Sequence, residues 1–189
     1  VERFAVETLT KLPPSFVYHC LEHTVQVVEN AKIVAKASEL PEHETGLVLA
    51  AAWMHDIGFQ HTYAGHEAES CRMARDLLSG VVAQKDIAMI ESAIRATEIP
   101  QHAENRVSEV LCDADLLYLG GDQFFFWSAR LREEHLQTLD RHYSDREWLV
   151  FNLDFLHAHR YYTDFARNEY GTGHDGNIRL LEHMARELS

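Results

Sequence analysis

The stretch GLVLAAAWMHDIG, residues 46–58, decides how the rest of the chain is read. From Leu47 to Met54 it is apolar on nearly every face of a helix, whereas a surface helix keeps a polar side. It is therefore expected to begin near Glu42 and to lie at the centre of a helical bundle. The run ends on an imidazole and a carboxylate, His55 and Asp56, with Gly58 as the expected C-cap. Two polar groups carried to the end of so hydrophobic a helix need partners, because burying an unpaired charge is costly. Adjacent helix residues point about 100° apart, so both can reach one ion only if it sits beyond the helix end. The negative end of the helix dipole favours a cation there by about 0.3–1 kcal/mol. Taken alone, the dipeptide fits a capping Asp beside a surface His equally well.

Outward from this segment, apolar residues recur at helical spacing almost everywhere, with no alternating β-branched run, and the chain reads as all-α. Pro13-Pro14 separates a short first helix from a long second one carrying Phe16, Cys20, Val27, Ala31, Val34 and Ala35, which Leu40-Pro41 stops. Beyond the central helix the expected helices run from about His66 to Leu78, Ala83 to Ala96, Arg106 to Leu119, Gln123 to Asp140, Asp145 to His159 and Gly176 to Leu188. Residues 161–176, YYTDFARNEYGTGHDG, are expected to be the least regular loop.

The chain has 189 residues, 46% of them hydrophobic, which is the length of one domain with a sizeable core. It is read as a single domain, 1–189, with a motif-bearing core of about 16–120 and a C-terminal helical extension of about 121–189. No apolar run approaches the roughly 18 residues of a membrane span, and VERFAVETLT lacks a basic-then-apolar leader. Thirty acidic against 17 basic residues give a formal charge of −13, which repels polyanions. Duplex nucleic acid and membrane are therefore not expected partners. A small phosphorylated molecule is compatible, since a metal and local histidines can reverse the field inside a cleft. Three cysteines without CxxC spacing, each in an apparently helical segment, fit a reduced, cytoplasmic setting. Homodimerisation is left open.

Partners for the His-Asp pair are available in His23, within YHCLEHTVQVV, and in an aspartate of CDADLLYLG, Asp113 or Asp115. Two imidazoles and two carboxylates form a shell that suits one divalent ion, Mn, Fe, Zn, Ni, Co or Mg, with coordination positions to spare. His61, His66 and Glu67 follow the pair and are expected to line the same cleft. Phe124 to Trp127 read as core rather than a stacking surface, and Arg95, Arg130 and Arg132 are candidate phosphate contacts. Histidines 43, 135, 142, 157, 159, 174 and 183 show no pattern and are read as ordinary.

The order H…HD…D, from His23 through His55-Asp56 to an aspartate at 113 or 115, resembles the HD superfamily of metal-dependent phosphohydrolases over about residues 16–120. The resemblance implies an HD-domain helical bundle with additional C-terminal helices that roof the pocket, which would bring Tyr161 to His174 near its mouth. It further implies a metal held by His23, His55, Asp56 and Asp115, since the family's ligand is the aspartate followed by an apolar residue. Asp113 would then be a supporting or solvated group. Tyr18-His19, His23 and Val27 are similar to a segment of cyclic nucleotide phosphodiesterases in which the earlier histidine protonates the leaving oxygen. His19 is thereby the expected proton donor, on one helix face with His23, and Asp56 a second catalytic group that orients water. Cys20 stands where those enzymes carry Asn. The later region RATEIPQHAEN offers only His102 where two-metal members carry a histidine pair, so one metal is expected, with His61, His66 and Glu67 directed to substrate.

The implied activity is hydrolysis of a phosphomonoester or phosphodiester of a nucleotide or other small phosphorylated molecule. The alternative is a non-catalytic metal-containing module that binds a nucleotide as a sensor. Di-iron oxygenase chemistry, which a few relatives perform, is disfavoured by the absent histidine pair.

Overall fold

The computed structural model describes residues 1–187. Among them are nine α-helices, two short 3-10 turns and no strand. No helix among the described residues is long and apolar enough to cross a membrane.

α1, Glu2–Leu9, turns Ala5 and Leu9 inward. After Pro13-Pro14 the chain stays irregular as far as Cys20, and α2 spans Leu21–Ala37. α3, Glu42–Met54, is followed by a 3-10 turn, Ile57–Gln60. Then come α4, His66–Leu78, α5, Gln84–Ala96, and α6, Arg106–Leu116, whose first turn Asn105 caps by accepting from the Ser108 N–H. α3 packs on α2, α5 and α6 together, as its all-round apolar surface requires. A second 3-10 turn, Leu117–Gly120, leads to α7, Phe124–Leu139. α8, Asp145–Ala158, starts from a capping box between Ser144 and Glu147, and α9 spans Asp164–Glu187.

There are two hydrophobic clusters. The larger joins the helices from α1 to α6; the smaller gathers Tyr18, Leu116, Phe124, Trp127, Leu149, Leu156 and Leu181. His23 packs against the smaller cluster, its ring stacked on Tyr18 at 4.9 Å and edge-on to Trp127 at 5.4 Å.

Three expectations are corrected. Residues 16–20 do not open the second helix: Cys20 is its N-cap, with φ −121° and ψ 174°. The segment is tied to α7 instead: the Glu134 carboxylate accepts from the backbone N–H of Tyr18 at 2.8 Å and of His19 at 2.9 Å. His19 therefore does not share a helix face with His23, and Cys20 is not a helical residue. Gly58 is not the C-cap of α3, a place taken by His55. It is glycine because a Cβ there would lie 2.0 Å from the His66 carbonyl oxygen.

The third concerns residues 161–176, which are helical from Asp164 onward rather than a loop. Asp113 accepts from the backbone N–H of Tyr162 at 2.8 Å and of Thr163 at 2.7 Å, and the Thr163 hydroxyl accepts from Ala166, so the start of α9 is capped. One of the three glycines within the helix serves a contact: a Cβ on Gly173 would lie 2.0 Å from the Gly120 carbonyl oxygen. Glycine costs a helix about 1 kcal/mol, which backbone-close packing on the Leu117–Gly120 turn offsets here. The expected last residue of this helix, Leu188, lies outside the described residues.

Candidate metal centre

His55 and Asp56 leave the end of α3 where the backbone passes into the 3-10 turn, and Asp56 has φ −104° and ψ 0°. That change of direction lets two consecutive side chains converge. Ser70 of α4 secures the turn: its hydroxyl donates to the His55 carbonyl at 2.6 Å and accepts from the Gly58 N–H at 2.8 Å. His23 comes from α2 and Asp115 from α6, so the site is assembled from three packed helices.

The four side chains meet. His23 Nε2 lies 3.1 Å from Asp115 Oδ1 and 3.8 Å from Asp56 Oδ2; His55 Nε2 lies 3.2 Å from Asp56 Oδ2 and 3.7 Å from Asp115 Oδ1. The ligand atoms of His23, His55 and Asp56 all lie within 4.8 Å of one another, and Asp115 joins them through the two histidines. All four are buried. Asp115 is further tied to Gln101, whose Nε2 donates to Oδ2 at 3.3 Å.

Hydrogen bonding fixes which atoms face inward. His55 Nδ1 donates to the Ala52 carbonyl at 2.8 Å, so in the neutral ring the lone pair is on Nε2, and His55 Nε2 and Asp56 Oδ2 are buried without a hydrogen-bond partner. Buried polar atoms are rarely left in that condition. Burial would lower the His55 pKa, yet the Asp56 and Asp115 carboxylates raise it to about 9; burial likewise opposes ionisation of Asp56, and His55 holds its pKa well below the usual carboxylate range. The site thus draws positive charge inward against desolvation, a demand that a divalent cation meets. The donor set and its unpaired atoms fit one such ion.

Around this centre the other candidate residues separate. His66, the first residue of α4, places Nε2 3.4 Å from Asp56 Oδ1 and 3.5 Å from Glu67 Oε1, and its ring stacks on Phe59 at 3.7 Å. Burial lowers and Asp56 raises its pKa, with a net rise. His66 and Glu67 line a cleft of about 420 Å³ together with His19, His55, Asp56 and Asp115. His61 does not: it is half-exposed, 3.8 Å from Glu69, and outside the cleft. Residues 161–174 are not among the residues that line it; Leu131, His135, Phe151 and Phe155 of α7 and α8 do, and Tyr162 lies in an adjoining cavity that shares Ile99, Leu116 and Phe155 with the cleft. Arg130 is paired with Glu22 and Arg132 with Asp145, while Arg95 lines a separate hollow.

His19 stands between the centre and α7. Its Nδ1 bonds Glu134 Oε1, an oxygen that also accepts from the Tyr63 hydroxyl at 3.1 Å. Glu134 is fully buried; burial opposes its ionisation, but His19 and the two backbone donors bring its pKa below the ordinary value. In sequence Glu134 is one of two glutamates in an amphipathic helix, and only its place on the buried side distinguishes it from Glu133. Asp113, expected as a supporting or solvated group, is buried and serves α9, with burial raising its pKa to about 6 against its hydrogen bonds.

No family model and no curated protein matches the chain. Among solved structures, the 1.45 Å crystal structure of a predicted HD superfamily hydrolase from an uncultured Thermotogales bacterium is similar over 99% of this chain and 92% of its own, with a TM-score of 0.62 and 20% identity. The chain has the all-α HD-domain fold.

Proposed function

We propose that the chain is a metal-dependent phosphohydrolase acting on a small phosphorylated molecule, with a nucleotide the leading candidate. The observation that carries this is the buried convergence of His23, His55, Asp56 and Asp115, in which His55 Nε2 and Asp56 Oδ2 face each other at 3.2 Å without a hydrogen bond. The name of the structural neighbour, a predicted hydrolase of the HD superfamily, supports the same class of reaction. Bound at these four residues, a divalent ion supplies Lewis acidity toward a phosphoryl oxygen and activates water at neutral pH.

The cleft includes no lysine or arginine among its lining residues. Balancing phosphoryl charge there falls to the cation and to imidazole, and His66 is the imidazole at the right place. Asp56 orients the attacking water as well as holding the ion. His19, with Nδ1 committed to Glu134, has Nε2 available to deliver a proton to the leaving oxygen as the phosphorus–oxygen bond breaks. Phe59, Phe151 and Phe155 supply apolar surface for the rest of a substrate, and the cleft volume is that of an ordinary small-molecule site.

The test is turnover of p-nitrophenyl phosphate and its bis ester by the Mn-loaded protein. Asp115→Ala is expected to lose bound metal and turnover together. His19→Ala is expected to keep the metal and lose about 10²–10⁴-fold in turnover. A protein that holds stoichiometric metal and cleaves neither ester, nor any nucleotide in a panel, would be a sensor instead.

A further inference from the structure

Asp115 turns its two oxygens to different neighbours. Oδ1 faces the histidines, 3.1 Å from His23 Nε2 and 3.7 Å from His55 Nε2, whereas Oδ2 accepts from Gln101 Nε2 at 3.3 Å. The same nitrogen donates to the Cys112 carbonyl at 3.3 Å, one turn earlier on α6. Both hydrogens of the amide are thereby used, and both partners are oxygens. A reversed amide would set Oε1 against the same two oxygens, so the partners fix which way it points.

The backbone of Gln101 is held from the other side by a residue that precedes α9. The Tyr162 hydroxyl donates to the Gln101 carbonyl at 2.7 Å, and the Tyr162 N–H donates to Asp113 Oδ1 at 2.8 Å. Tyr162 thus ties the segment ahead of α6 to α6 itself, two residues from Asp115. The arrangement has a cost, because Gln101 Oε1 is buried with no hydrogen-bond partner. An apolar side chain of the same size would fill the place without that cost. Such a side chain could not donate to Oδ2. An ammonium or guanidinium group could, but it would neutralise the carboxylate, whereas a neutral amide leaves Asp115 its charge for a cation.

We propose that Gln101 is a positioning residue of the metal centre: by occupying Oδ2 it holds the Asp115 carboxylate so that Oδ1 alone is presented to a divalent cation. This role rests on the proposed reading of the four residues as a metal site, and deepens it. It also gives the C-terminal extension a part in the centre, since Tyr162 keeps Gln101 in place.

Mn²⁺ binding to the full chain, read from the EPR signal of the free ion, tests this in the wild type, Gln101→Met and Gln101→Leu, beside thermal unfolding of each metal-free protein. Both substitutions keep apolar bulk and remove the donor and the unpartnered oxygen together. Affinity for Mn²⁺ is expected to fall about 10–100-fold. The metal-free Tm is expected to stay where it is or rise, because a buried oxygen without a partner has gone. A residue that only packed would give the reverse, a lower metal-free Tm with Mn²⁺ affinity unaltered. Unaltered affinity in both variants, or a metal-free Tm that falls in both, overturns the role of Gln101 and leaves the centre standing. A wild type that takes up no Mn²⁺ overturns the centre itself and this role with it, so the two failures are told apart.

Discussion

Single residues carry the chemistry, and their legibility follows from how far each role depends on chain-local pattern. His55 and Asp56 stand out because two polar residues end a run that is otherwise apolar. His23 and Asp115 follow once a resemblance supplies the order of ligands. Glu134 does not follow from any pattern. Its role comes from accepting two backbone N–H groups, one ring nitrogen and one phenol from residues more than 70 positions away, as at Tyr63 and His19. Glu134→Gln is expected to keep metal content and lower turnover about 10–100-fold, the usual cost of removing a group that orients a functional histidine. The pH profile of kcat should also shift, a change that mere loosening of the fold would not cause; an unaltered profile with normal turnover would remove Glu134 from the mechanism. Asp113 has the opposite character, close in sequence to Asp115 yet devoted to structure. Asp113→Ala should leave metal content intact and destabilise the fold by about 2–4 kcal/mol, as two buried N–H groups lose their acceptor. Metal loss from a folded Asp113 variant would exchange the two assignments.

Whole elements show where periodicity informs and where it misleads. The central helix, its neighbours and most boundaries follow from apolar spacing and from proline and glycine stops. α9 does not, because three glycines, at 171, 173 and 176, look like chain breaks when read along one dimension. In three dimensions Gly173 marks the place where one backbone comes against another, at the Leu117–Gly120 turn. Replacing a mid-helix glycine with alanine ordinarily gains up to about 1 kcal/mol. Gly173→Ala is expected to do the reverse and cost about 1–3 kcal/mol, because the added methyl group meets a carbonyl oxygen that belongs to backbone and has little room to yield. Urea unfolding of the two proteins measures the difference, and a stabilised variant would show that α9 does not press on that turn. The same one-dimensional reading places His19 on α2. The carboxylate that accepts from its backbone N–H lies on α7, beyond the reach of any local spacing rule.

On the scale of the whole molecule, the candidate centre joins α2, the end of α3 and α6, and brings His23 against Asp115, 92 positions further along the chain. An ion held there binds the folded state and finds no such arrangement in the unfolded chain, so its affinity adds directly to stability. Free metal at about a hundred times its Kd adds about 2.7 kcal/mol. For a chain of this length about 1 kcal/mol shifts Tm by roughly 2–4 °C, so chelation is expected to lower Tm by about 5–10 °C. The four ligands differ from an ordinary buried salt-bridge cluster in this respect, since a cluster satisfied by protons alone would be indifferent to chelator. Calorimetric scans with and without EDTA, followed by readdition of Mn²⁺, separate the two. Asp115→Ala should show the lower Tm from the outset and no further response to chelator, whereas a wild-type Tm that ignores both EDTA and added metal would leave the centre as a structural knot of histidine and aspartate.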